Sequence, residues 1–308
     1  MATMLTLADI QIRDPFLYTD RERHEYLLFG STDPDVWQGE GVGFDCYRSS
    51  DLETWQGPIP AFRPPRGFWA TRNFWAPEVH AYRNQFFLFA TFAGDGHPRG
   101  TQILVADRPE GPYHEHSVGP VTPHAWECLD GTLHVDSAGH PWIVFCHEWL
   151  QVVDGEIHAQ RLSEDLRRAI GPPQRLFSAS EAGWVRPTTH EWMSGCRQGF
   201  VTDGPFLHRM RSGALTMLWS SFGEEGYAMG TATSSSGTVL GPWKHESVPL
   251  WSRDGGHGMV ARTFDDELVL VLHQPNETPH ERAIFLPIHE REGTLQIGPS
   301  SEPGRRSR

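Results

Sequence analysis

The sequence predicts an all-β protein folded as a five-bladed β-propeller, and three observations carry that expectation. The first is an internal repeat: five segments run from a polar or small residue through an apolar strand and a turn into a second apolar strand. They start at Asp14, Ala76, Asp130, Asp203 and Gly256, so their spacings are 62, 54, 73 and 53 residues. The second is a phrase recurring between them, SSDLETWQGP, ADRPEGPYHE, SEDLRRAIGPP and SSSGTVLGPWKH, closed by Gly-Pro at Gly57, Gly111, Gly171 and Gly241. Each unit thus supplies a hairpin, a further strand and a turn, enough for one four-stranded blade. The third is the near absence of helical periodicity, with SEDLRRAI the one exception. Ordinary hairpins of a sandwich or jelly roll are the alternative; five in-phase copies of both phrases argue against them. Residues 1–300 are read as a single domain and 301–308, ending RRSR, as a frayed tail.

Composition narrows the partners. A formal charge of -13 opposes nucleic acid or an anionic membrane, because phosphate binding needs Lys and Arg. Twelve Trp and seventeen Phe suit an all-β core, and any that are exposed suit sugar rings. The cysteines, Cys46, Cys128, Cys146 and Cys196, lack C-x-x-C spacing, so a zinc knuckle is not expected. The first thirty residues hold no basic n-region and no apolar h-region, and no run approaches the roughly 20 residues of a membrane helix. The expected setting is therefore reduced and cytoplasmic, or secreted if a leader has been trimmed away.

In a propeller the first strand of each blade lines the channel, with its leading residue at one mouth. On the repeat phase, Asp14, Asp130 and Asp203 hold that leading position in three blades. Three converging carboxylates repel and desolvate one another, so a site needing separated carboxyl pKa values explains them better than structure does. Arg13 offsets charge beside Asp14, and Pro15 fixes the backbone after it.

These stretches resemble glycoside hydrolase family 43, five-bladed propellers that cleave arabinofuranosides and xylosides with inversion. The matching phrases are RDPFLY at 13–18, FWAPEVHAYRNQFFLFAT at 74–91, LDGTLHVD at 129–136, TDGPFLHR at 202–209 and GGHGM at 255–259. The resemblance implies Asp14 as general base and Asp130 as the residue that tunes the acid and positions substrate. It implies an acid at Asp203, where the family usually carries Glu in Glu-Gly-Pro. Asp is shorter by one methylene, which sets its proton back by more than about 1 Å; Glu191 in THEWMSG and Glu148 in CHEW are the alternative acids. Inverting hydrolysis wants this pair, one carboxyl protonating the leaving oxygen and the other activating water across the ring, about 6.5–9.5 Å apart.

Other candidates are softer. Phe74 and Trp75 wall or stack on the terminal sugar, or belong to the core. His257, leading the fifth blade, contacts substrate or, by the resemblance, helps hold a central calcium through water; a backbone-bonded neutral imidazole is the plain alternative. No dense acidic loop is present, and the chemistry requires no cofactor. Glu224, Glu225, Asp265 and Asp266 read as turn charges. Retaining fructoside hydrolases share Arg-Asp-Pro and Glu-Cys phrases, here RDP at 13–15 and WEC at 126–128. In those enzymes, however, Arg-Asp-Pro lies one blade after the nucleophile, and nothing here precedes Asp14 to serve as one. The expected activity is an inverting exo-hydrolase releasing terminal L-arabinofuranose, or less readily xylose, from plant-derived oligosaccharides. The alternatives are a non-catalytic sugar-binding propeller and the fructoside-type enzyme.

Overall fold

The computed structural model describes residues 4–189 and 198–299. Five four-stranded antiparallel sheets follow one another in chain order, each built from consecutive strands. Blade 1 comprises Arg13–Asp20, Glu25–Ser31, Phe44–Ser49 and Gln56–Phe62; blade 2, Arg72–Tyr82, Gln85–Gly94, His97–Ala106 and His114–Pro120. Blade 3 comprises Cys128–Val135, Pro141–His147, Glu156–Leu162 and Ala169–Ser178. Blade 4 has Asp203–Arg209, Leu215–Gly223, Gly226–Ser234 and Lys244–His245; blade 5, Gly256–Arg262, Leu268–Gln274, Arg282–Arg291 and Thr294–Ile297. The predicted propeller is therefore the fold. The helix-tempting SEDLRRAI forms the turn between the last two strands of blade 3, with Leu166 at φ 58° and fully buried. The 301–308 tail lies outside the described residues. Among the described residues no helix is long and apolar enough to cross a membrane, and Cys46, Cys128 and Cys146 are buried free thiols.

Strand patterning explains the layers. The second strands are apolar on both faces, as in PWIVFCH, because each lies between neighbouring blades. Outer strands such as Gln56–Phe62 alternate in burial. Phe44, Phe62, Phe68, Phe74 and Phe92 interlock between blades 1 and 2, with ring centroids 4.9–6.3 Å apart. Phe74, 1% exposed, is thus a core residue and not a wall of the sugar site. Its position before Trp75 on the strand turns it to the opposite, packed face.

Among the described residues no strand is exchanged to close the ring, so closure rests on contacts between blades. In each inner strand one residue (Arg13, Trp75, Leu129, Asp203, Gly256) pairs with the end of the second strand, and the next two bulge out. The residue after it takes a left-handed backbone: Asp14, Ala76, Asp130, Gly204 and His257, with φ between 46° and 57°. The freed N–H groups reach across to the preceding blade. Ala76 donates to Ser31 Oγ at 2.9 Å, Asp130 to Thr91 Oγ1 at 2.8 Å and His257 to Ser220 Oγ at 2.7 Å. Asp14 donates to His273 Nδ1 at 3.2 Å, which joins blade 5 to blade 1. Only the blade 3 to blade 4 step differs: Cys146 holds the acceptor position, and Gly204 donates instead to Asp130 Oδ2 at 3.0 Å. A thiol is a weak acceptor, and the carboxylate takes its place.

Candidate active site

The bulged residues gather at one mouth of the channel. A pocket of about 370 Å³ there is lined by Arg13, Asp14, Trp75, Asp130, Asp203 and His257. Asp203 stands one residue earlier in the repeat than Asp14 and Asp130, contrary to the phase expected from sequence. Gly204 is the reason. It occupies the left-handed position at φ 51°, where a Cβ would come within 2.7 Å of the His257 ring. An aspartate fits at 203, where the pairing residue also faces the pocket, and not at 204.

The carboxyls differ sharply in surroundings. Asp14 Oδ2 accepts from Ser31 Oγ at 2.7 Å, and Oδ1 lies 3.2 Å from His257 Nδ1. Burial opposes its charge, but His257, Arg13 and the Ser31 hydroxyl outweigh burial and hold Asp14 below the usual carboxyl range. His273 Nδ1 is also within 3.7 Å of Asp14. That nitrogen already accepts the Asp14 N–H, so it carries a lone pair. Burial and Arg13 push His273 down to about 3, and the contact is not an ion pair.

Asp130 is raised well above its ordinary value, by burial first and then by Asp203 and Asp14. Asp203 is raised to about 7, by burial and then by Glu148, against a 3.0 Å hydrogen bond from the Tyr227 hydroxyl. Two carboxyls in one low-dielectric site cannot both ionise readily, so the pair keeps a proton that Asp14 does not. His257 Nδ1, 3.2 Å from Asp14 and 3.8 Å from Asp130, links the two kinds of group.

The walls come from the connections between second and third strands. Trp37 arises there in blade 1, Arg99 at the start of the third strand of blade 2, Glu148 in blade 3 and Asn276 in blade 5. Arg13 is held by Glu281 at 2.7 Å and Asn276 at 2.8 Å, and lies over the Trp37 ring at 4.8 Å. Arg99 pairs with Glu148 at 3.2 Å and Glu127 at 3.0 Å, and lies over Trp75 at 5.4 Å. Glu148 therefore reaches the pocket engaged with a cation, whereas Glu127, the fructoside-type acid, is not among the lining residues. Glu191 lies outside the described residues. Sequence reasoning did not find Tyr227, Arg99, Trp37, Asn276 or Ser31. Only Ser31 had a signal, as a polar residue closing an apolar strand.

His257 was expected to bear on a calcium. Near it the oxygens are the Asp14 and Asp130 carboxylates, already bonded to Ser31 and Gly204. Deeper, Glu78 is engaged by Thr132 and His80. Calcium needs six to eight oxygen ligands, and this donor set does not fit one held directly.

The model of the glycosyl hydrolases family 43 matches residues 7–290. The chain belongs to that family. Among solved structures it is similar to an endo-arabinase from Bacteroides thetaiotaomicron VPI-5482, with 41% identity, a TM-score of 0.87 and coverage of 95% of this chain and 99% of that one. A thermostable family-43 glycoside hydrolase shares 24% identity at a TM-score of 0.79, covering 97% of each chain. An α-L-arabinofuranosidase from Lactobacillus brevis shares 19% at 0.75, covering 96% of this chain and 97% of that one; at such identities these last two speak to the fold alone. No curated protein sequence matches the chain. As a family 43 member it is a glycoside hydrolase by class, acting on carbohydrate.

Proposed function

We propose that this family 43 enzyme hydrolyses α-L-arabinofuranosyl linkages with inversion, taking a terminal arabinofuranose into the pocket. The observation that carries the proposal is the split in ionisation among three carboxyls around one pocket, Asp14 held down and Asp130 and Asp203 held up. Asp14 is the general base: ionised, fixed by Ser31, it takes a proton from the attacking water. Asp203 is the general acid: protonated near neutrality, it gives that proton to the leaving oxygen. Asp130, through its bond from Gly204, fixes the backbone next to Asp203. Glu148, ion-paired with Arg99, adds negative charge that holds the Asp203 proton in place. Arg13 and Trp75, both lining the pocket, orient the sugar.

The 41%-identical neighbour favours arabinose over xylose, and its endo mode of action supplies a second reading, cleavage within arabinan. A pocket near the lower end of the ligand-site range supports the exo mode. The test uses aryl α-L-arabinofuranoside, aryl β-D-xyloside and linear arabino-oligosaccharides, with proton NMR of the first-formed sugar. Arabinose released as the anomer opposite to the substrate's supports the proposal; mixed oligosaccharides from the start identify endo action. Retention, or sugar binding with no turnover on any of them, refutes it.

A further inference from the structure

We propose that His147, Glu156 and His158, on the second and third strands of blade 3, bind a divalent transition-metal ion, with zinc the best fit. Each offers one donor atom, and the three lie within 4.8 Å of one another; His147 Nδ1 and His158 Nε2 both face Glu156 Oε2. Two edges of that triangle measure 3.4 Å and 2.9 Å. A tetrahedral zinc with ligands at 2.0–2.1 Å places them about 3.3 Å apart, so these two edges fit within a few tenths of an ångström and the histidine–histidine edge, within 4.8 Å, closes by ring movement.

The hydrogen bonding around His147 points to a cation. Gln151 Oε1 accepts from the Glu127 N–H at 2.9 Å, so it is an acceptor, and His147 Nε2 at 2.8 Å must donate to it. For a neutral imidazole this leaves the Nδ1 lone pair facing the Glu156 carboxylate. His147 is 6% exposed, and Nδ1 is buried with no hydrogen-bond partner among the described residues. A lone pair 3.4 Å from a carboxylate oxygen is unfavourable unless a cation sits between them. The outer contacts match those of metal ligands: the far ring nitrogen of His147 bonds Gln151, and Arg175 lies 3.7 Å from the other Glu156 oxygen. Trp126 stacks on His147 at 4.1 Å and fixes the ring plane. His158 Nδ1 has no partner among the described residues, which weakens the site by the 10- to 100-fold typical of a missing outer bond. Two imidazoles and one carboxylate select Zn²⁺ or Co²⁺ over Ca²⁺ or Mg²⁺.

The ion would clamp the base of the connection that carries Glu148, the residue after His147, to the pocket wall. The test is calorimetric titration of chelator-treated full-length protein with Zn²⁺, and visible spectroscopy with Co²⁺. One equivalent bound at micromolar concentration, with the intense visible bands of tetrahedral Co²⁺, is the expected result. Glu156→Gln and His158→Gln should each weaken binding by more than the 10- to 100-fold expected of Gln151→Leu. No binding at submillimolar Zn²⁺ overturns the proposal. Binding unchanged in both ligand variants also overturns it, by placing the ion elsewhere. Matching circular dichroism spectra of variants and wild type exclude misfolding as the cause of loss.

Discussion

Replacing Asp203 by Asn should stabilise the protein at alkaline pH while removing its activity. The carboxyl is raised from 3.8 to about 7 in the folded chain, and an unfolded Asp ionises near its ordinary value. Between those limits the folded state retains a proton that the unfolded state has lost, so stability falls as pH climbs from about 4 to about 7. Above pH 7 the whole cost of an ionised Asp203 beside Asp130 and Glu148 is present. At 1.36 kcal/mol per pH unit the cost is at most about 4 kcal/mol. Asp203 borders the pocket rather than the sealed core, and solvent screening brings the figure to about 2 kcal/mol. Asn keeps an acceptor for the Tyr227 hydroxyl and cannot ionise. At pH 8, Asp203→Asn should therefore melt about 4 °C higher than wild type, at about 2 °C per kcal/mol; at pH 4 the two should coincide. Turnover of natural oligosaccharide should fall by at least about 100-fold. Urea and thermal unfolding at pH 4, 6 and 8 measure the first effect. An advantage that does not grow with pH, or none at pH 8, refutes the ionisation assigned to this pocket.

Other outcomes follow from the same geometry. Asp203→Ala should lose most activity on oligosaccharides and much less on a 2,4-dinitrophenyl glycoside, which needs no proton to leave, whereas Asp14→Ala should lose both by on the order of 100- to 10,000-fold. If Glu148→Ala shows the selective loss instead, Glu148 is the acid. The pH–rate profile should be flat from below pH 4, set by Asp14, to an alkaline limb near 7 set by Asp203. Asp130→Asn should leave that alkaline limb near 7, because Asp130, raised well above its ordinary value, is itself uncharged where Asp203 titrates; a limb moved toward acid would show that Asp130 carries charge there. Gly204→Ala should abolish turnover and cost about 1–3 kcal/mol, since its Cβ meets the His257 ring at 2.7 Å in a left-handed backbone; unaltered melting and activity would show that the bulge yields easily.

The blade count and the strand order were legible because both rest on local signals. Alternating and continuous apolar runs mark half-buried and fully buried strands, and Gly-Pro pairs mark their ends. Asp14, Asp130 and His257 were legible for the same reason: each follows a fixed offset from a strand whose phase the repeat reveals. Phe74 shows the limit of that reasoning, because its neighbour Trp75 carries the same aromatic signal and only the pleat decides which faces the pocket. The true phase of Asp203 was hidden too. TDGPF reads like RDPFL, and the one-residue displacement exists because the His257 ring, 53 residues away in sequence, fills the space a side chain at 204 would need.

Residue order alone was therefore enough for the architecture, the mouth at which the carboxylates gather and two of the three acids at their register positions. The tertiary structure decided the ionisation of those acids and the walls around them. Trp37 and Asn276 come from connections between strands, and Arg99 and Tyr227 from the starts of third strands, in different blades, with no periodicity to announce them. Whether a carboxyl holds its proton depends on burial and on charges a few ångströms away, quantities that chain order does not encode.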